Sequence, residues 1–387
     1  MRISLAASTL SFALLSGCFF GAPTTSEANG SSGAEGASTD ADTATFKKLQ
    51  SDLESHRTQA MDKGAMELET AGGTLYYRTY PGFDPIFHRR NADGTRLDYG
   101  FSIGSGDSAN DRTSDDLVVT AERAGDRVTY HAYDAHTANV QKGSVDLPAP
   151  TDEQKWWAYA VSGSTIYAIT TPTEKTGTGN TIWSFTPGGT PAKLFTLEDA
   201  GIKVGELLDF DVDGQTMMVI ESGRLWRVDL AAKKAQYLQN KTEIAGAVNF
   251  SKDGVAFEDS TGLKFFDYAQ NSLRDLSAEV RASSYQIAPT YTTSHYFYSA
   301  TTSNNFTRWG SWIVYTGNAG IFAYDLAQKR VAPVLLDVSN DQVRIAYRYP
   351  VVTSDGSTYL VGLTSQDGAV GADGPIYRTS LKQLLPD

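Results

Sequence analysis

The stretch Asp209-Phe210-Asp211-Val212-Asp213-Gly214 places three carboxylates at alternate positions ahead of a glycine. Alternate carboxylates supply hard oxygen ligands, and this spacing opens a calcium-binding loop. The bidentate acid such a loop needs at its twelfth position is replaced by Ile220. The same residues also read as a strand, with Leu208, Phe210 and Val212 alternating and Asp213-Gly214 as its hairpin turn. That Asp-Gly pair recurs at Asp253-Gly254 and Asp355-Gly356. A hairpin is therefore the expectation. No cofactor is expected, and structural calcium on Asp209, Asp211 and Asp213 is the one metal candidate.

A second block, Gly106-Asp107-Ser108 within "GSGDSANDRTSDD", resembles the nucleophile block of the GDS-type lipases and esterases. The resemblance implies a serine nucleophile served by a downstream Asp-x-x-His. The last histidine, His295, follows Tyr291-Thr292-Thr293-Ser294, so that partner is missing and the block reads as an acidic loop between strands. His56, His88, His131, His136 and His295 show no zinc spacing, and no Gly-rich phosphate loop occurs. No catalytic residue is assigned.

Aromatic side chains crowd Tyr291 to Gly317, "YTTSHYFYSATTSNNFTRWGSWIVYTG". Alternation along Tyr296 and Tyr298, and along Trp312 and Val314, sends most of them into a core. Phe306 and Trp309, beside Asn304 and Asn305, are the candidate ligand-binding residues, because loop-borne aromatics act as binding anchors.

The lone cysteine, Cys18, sits behind a short positive start, Met1-Arg2, and an apolar run from Ile3 to Leu15. The run has the profile of a secretory signal and falls short of the roughly 20 apolar residues a bilayer span needs. Leu15-Ser16-Gly17-Cys18 resembles the lipobox of bacterial lipoproteins. That resemblance implies cleavage after residue 17 and acylation of Cys18. Several acyl chains on one residue hold a protein to a membrane durably, whereas one does so marginally. The residue after Cys18 is not Asp, which by the same resemblance implies the outer membrane of a two-membrane envelope. With a single thiol, no intramolecular disulfide can form.

Residues 18–44 are rich in Gly, Ala, Ser, Thr and acids, the composition of a flexible tether with a typical reach of about 25 to 30 Å. Phe46, Leu49, Leu53 and Ala60-Met61 then recur near helical spacing, which predicts an amphipathic helix over 45–64, stopped at Gly64.

From residue 66 to 387 the text changes to short Val-, Ile-, Thr- and aromatic-rich runs punctuated by Gly, Asp-Gly and Ser-Gly. "GRLWRVDLAAKKAQYL" from Gly223, "GLKFFDYAQNSLRDL" from Gly262 and "GIFAYDLAQKRVAPVLL" from Gly320 share one plan: glycine, aromatic strand, polar turn, second strand. Looser copies begin at Pro85, Arg127, Thr181 and Pro375, and Asp-Gly-turned strand pairs precede several of them. Four strands per unit, at about 40 to 50 residues per unit, predict an all-β fold, a seven-bladed β-propeller. Its repeat style and plan resemble bacterial envelope propellers, including the WD-like repeats of the Tol system's periplasmic protein and the lipoprotein propeller of the barrel-assembly machinery.

The formal net charge of −12 argues against nucleic acid, which needs a basic footprint. The expected function is that of a lipid-anchored, monomeric envelope lipoprotein whose propeller binds envelope proteins, peptides or glycans without catalysis. The alternative is an envelope hydrolase or a lactonase-like enzyme using carboxylates of the propeller interior.

Overall fold

The computed structural model describes residues 2–3 and 40–385, apart from 62–64, 72, 80–85, 92–94, 103–110, 125–126, 138–139, 149–153, 173–178, 204–206, 239–241, 252, 298–305, 340–343, 367–368 and 371–374. Seven antiparallel sheets, each built around four consecutive or nearly consecutive strands, make up a β-propeller. Sheet four is typical, with Leu207–Asp213, Thr216–Glu221, Arg224–Asp229 and Lys234–Tyr237 paired in chain order.

Two local devices write this pattern into the chain. Gly223, Gly262 and Gly320 stand where the second strand turns into the third, with φ of 74°, 122° and 140°. That region strains any residue with a Cβ, so the glycine heading each sequence repeat is a backbone requirement. At the next turn Asp229 Oδ1 accepts the N–H groups of Ala231 and Ala232, and Asp325 Oδ1 those of Ala327 and Gln328. Lys233, Asn271 and Lys329 then take left-handed φ of 52°, 47° and 54° to close the hairpin.

The chain divides into two compact units. The first comprises the described parts of Met1–Leu5 and Glu69–Asp275. Its cores lie between successive sheets: Val119, Tyr130, Tyr159 and Phe185 pack in one cluster, and Ile169, Phe195, Phe210 and Val228 in the next. Arg2–Ile3 runs antiparallel along Ile244–Ser251.

The second unit holds the described parts of Ala6–Leu68 and Leu276–Asp387. In sheet six, Trp312–Gly317 and Gly320–Asp325 are buried at every position, so both faces are covered. Between sheets five and six the chain forms the helix Leu276–Ala282 and a short turn, Pro289–Tyr291.

The N-terminal segment differs from its sequence reading. The helix spans Asp40–Glu54, not 45–64, so the tether reading of 18–44 overlaps its first turn. Beyond Glu54 the chain unwinds, with the His56 N–H bonded to the Leu53 carbonyl and the Arg57 N–H to the Glu54 carbonyl. Thr58–Met61 then becomes the outer strand of sheet seven, pairing with Ile376–Ser380. Apart from Arg2–Ile3, sheet-forming residues therefore begin at Thr58 rather than 66. Ala60 and Met61 satisfy a helical spacing, but the open edge of a neighbouring strand offers their backbone a ladder that the helix does not.

Candidate functional site

The three alternate aspartates lie on the first strand of sheet four, where a propeller blade faces inward. Asp209 and Asp211 are buried, at 6% and 4% exposure, whereas Asp213 is exposed at the turn. Same-face neighbours on a strand stand about 7 Å apart, too far for all three to reach one calcium ion at about 2.3 to 2.6 Å. Among the described residues no group of three or more His, Cys, Asp or Glu is placed to hold a metal ion.

A side chain supplies the positive charge instead. Arg112, on Asp111–Thr113 of sheet two, donates from Nη2 to Asp209 Oδ1 at 3.3 Å and from Nε to the Tyr159 carbonyl at 3.2 Å. The guanidinium thus reaches from sheet two past the first strand of sheet three to sheet four. Asp209 Oδ1 also accepts the Phe210 N–H, and Asp211 Oδ1 the Val212 N–H, both at 2.8 Å. Burial pushes the Asp211 carboxyl up to about 7, with Arg112 pulling it down. The Asp209 carboxyl rises for the same first reason, against the same counter-charge. Asp211 can therefore hold or release a proton near neutrality, the range a general acid or base needs.

The second unit buries a different titratable group. His295 is 1% exposed, and its Nε2 lies 3.3 Å from Ser283 Oγ. Tyr285, Tyr296 and Phe322 meet its ring edge-on, with centroids at 5.3, 5.0 and 6.4 Å. Among the described residues its Nδ1 meets no hydrogen-bond partner. Burial lowers its pKa, with the Val280 carbonyl acting in the opposite direction. A nucleophilic serine needs a histidine oriented by a third polar group. Here aromatic edges and the Val280 carbonyl surround the ring, Ser283 lies just past the carbonyl end of Leu276–Ala282, and among the described residues no acid joins the pair.

Phe306 and Trp309, the two aromatics of this stretch that could serve as loop-borne anchors, both lie on a strand. Phe306 is 0% exposed on the strand Phe306–Trp309. Trp309, half-buried, donates its indole N–H to the Ser354 carbonyl at 3.4 Å, next to the Asp355-Gly356 turn of sheet seven. Alternation buries Phe306, and the neighbouring hairpin engages Trp309. Asn304, Asn305, Cys18 and Gly106-Asp107-Ser108 lie outside the described residues.

Arg112 escaped the sequence reading because an isolated arginine in an acidic stretch looks like any solvated charge. Its partners are 47 and 97 residues away in the chain, and no local pattern links them.

No protein-family model matches the chain. No curated protein matches it. Among solved structures, one from a study of two prolyl endopeptidases is 14% identical, with a TM-score of 0.50 over 88% of this chain and 52% of that one. An oligogalacturonate lyase in complex with manganese is 9% identical, with a TM-score of 0.48 over 83% of this chain and 90% of that one. An acylaminoacyl peptidase of Pyrococcus horikoshii is 12% identical, with a TM-score of 0.45 over 77% and 50%. The chain spans about half the length of the prolyl endopeptidase it matches, and that likeness is one of fold.

Proposed function

We propose that this chain is a lipid-anchored envelope lipoprotein whose propeller serves as a non-enzymatic binding module for an envelope protein or peptide. The anchor is Cys18, read from Leu15-Ser16-Gly17-Cys18. The observation that carries the reading is the seating of the N-terminal segment: helix Asp40–Glu54 packs along Arg330–Leu336, and Thr58–Met61 completes sheet seven. A pull on an anchor upstream is thereby delivered to the folded domain itself.

Binding fits the buried polar groups better than catalysis does. Asp209 is paired with Arg112, and among the described residues no carboxylate stands beside His295 to complete a triad with Ser283. The feature favouring an enzyme is Asp211, held near neutrality by burial.

Clickable fatty-acid labelling of the exported chain, with Cys18→Ser as control, tests the anchor. Acylation and membrane recovery should both vanish in the variant. An unacylated Cys18 in the intact, exported chain would overturn the anchor. Crosslinking in intact cells should then recover an envelope partner, whereas ester or lactone turnover abolished by Asp211→Asn would establish the enzyme reading.

A further inference from the structure

Helix Asp40–Glu54 and the three residues after it meet the rest of the second unit, its Leu276–Asp387 part, along one face. Phe46 stacks on Tyr291, with ring centroids 4.3 Å apart and planes at 16°. Asp42 Oδ2 accepts from Thr290 Oγ1 at 3.5 Å, and Gln50 Nε2 donates to the Asp337 carbonyl. Glu54 Oε1 accepts the Tyr347 hydroxyl at 2.9 Å. The Arg57 guanidinium stands 4.1 Å from the centre of the Tyr377 ring and 2.7 Å from Glu54 Oε2. Positions 42, 46, 50 and 54 follow helical periodicity, so their contacts share a stripe, and Arg57 adds its contact from the turn just past the helix.

The seat has the make-up of an exchangeable contact. Leu53 is the one buried side chain of the helix, and around it stand hydrogen bonds, a ring stack and, just past the helix, a cation over a ring. Helices of about 12 to 15 residues are marginal alone, so its order depends on the groove. Lifting it away would leave the buried Tyr347 hydroxyl without its acceptor, the Asp337 carbonyl without the Gln50 donor, and the Tyr291 and Tyr377 faces uncovered. Those groups specify what can fill the space: an aromatic, an amide donor and an acid on one helical stripe, with a cation just past its C-terminal end.

We propose that the groove formed by Tyr291, Arg330–Leu336, Asp337, Tyr347 and Tyr377 is a helix-binding site, held in cis by Asp40–Glu54 and filled in trans by a partner's amphipathic helix with the same stripe. This rests on the binding-module reading and gives its partner a chemical class. The partner competes with a tethered occupant, so its apparent affinity is reduced by the fraction of time the groove stands open.

The test uses a fluorescein-labelled peptide of residues 40–57 titrated into the full chain by fluorescence anisotropy. Phe46→Ala with Leu53→Ala in the chain weakens the cis helix while leaving the groove intact. The peptide should bind this variant at least about tenfold more tightly than wild type. Adding Tyr347→Phe should cost about fivefold of that affinity through one lost hydrogen bond. The inference is overturned if the double variant keeps its sheet signal in the far-UV and a cooperative melt, with or without loss of the helical signal, yet binds no peptide. It is equally overturned if the variant dimerises, since a second copy would then be the occupant, or if amides of 40–54 exchange only through global unfolding. Titrations repeated on the Cys18→Ser chain should give the same affinities, so loss of the lipid anchor sinks that reading without touching this one.

Discussion

The first strand of sheet four and the segment around His295 both bury a titratable side chain, and they solve the problem in opposite ways. Asp209 keeps a guanidinium beside it, and Asp211, one step further along the strand, rises toward neutrality. Among the described residues His295 meets aromatic rings and no counter-charge, and burial drives it toward the neutral imidazole. The lesson is that burial penalises whichever form is charged, so an acid is pushed up and a base down, and a neighbouring opposite charge offsets the penalty.

The two regions therefore bias stability in opposite directions with pH. For Asp211 the folded value, about 7, lies above the unfolded value near 3.9, so its contribution is present at low pH and is lost as pH rises through 7. We expect Asp211→Asn to remove this loss, making the variant gain on wild type by on the order of 4 kcal/mol between pH 4 and pH 8 in urea midpoints. An unchanged difference across that range would show that the carboxyl is solvated.

Arg112→Met should be the next largest effect, about 3 kcal/mol of destabilisation at pH 7, because it strands the Asp209 carboxylate in the interior. Adding Asp209→Asn should recover most of that loss in a double-mutant cycle. Equal losses in the single and double variants would mean that the guanidinium matters for packing rather than charge.

His295 carries the reverse sign. Its folded pKa is depressed below 6.5, so stability should rise with pH through the window below that value, as the unfolded chain gives up its extra proton. His295→Phe should abolish that slope while changing stability at pH 8 by less than about 1 kcal/mol, since an apolar ring replaces a ring with an unpaired nitrogen. The smallest effect is expected for Trp309→Phe. Its indole contact to Ser354 is long, and its loss should cost about 0.5 kcal/mol in thermal or urea unfolding.

Much of the fold was legible because its signals are local. Asp-Gly turns, repeated glycines and the polar turns after aromatic strands each fix φ or a hairpin within a few residues, and their recurrence announced the blades. Thr58–Met61 was not legible, because four residues cannot display a period and their strand state depends on an edge more than 300 residues away. Phe306 was misplaced for a related reason: an aromatic next to Asn-Asn has the chemistry of a loop anchor, and only the register with Tyr315 commits it to the core.

By itself, the sequence determined the repeat, the strand count per repeat and the hairpin turns, because backbone sterics and alternation act between near neighbours. The three-dimensional arrangement decided what the polar residues are for. Arg112 reaching Asp209, His295 enclosed by rings and Arg57 covering Tyr377 are encounters between distant parts of the chain. Whether a buried charge is tolerated depends on what stands within a few ångströms of it in space, and spacing along the chain does not encode that.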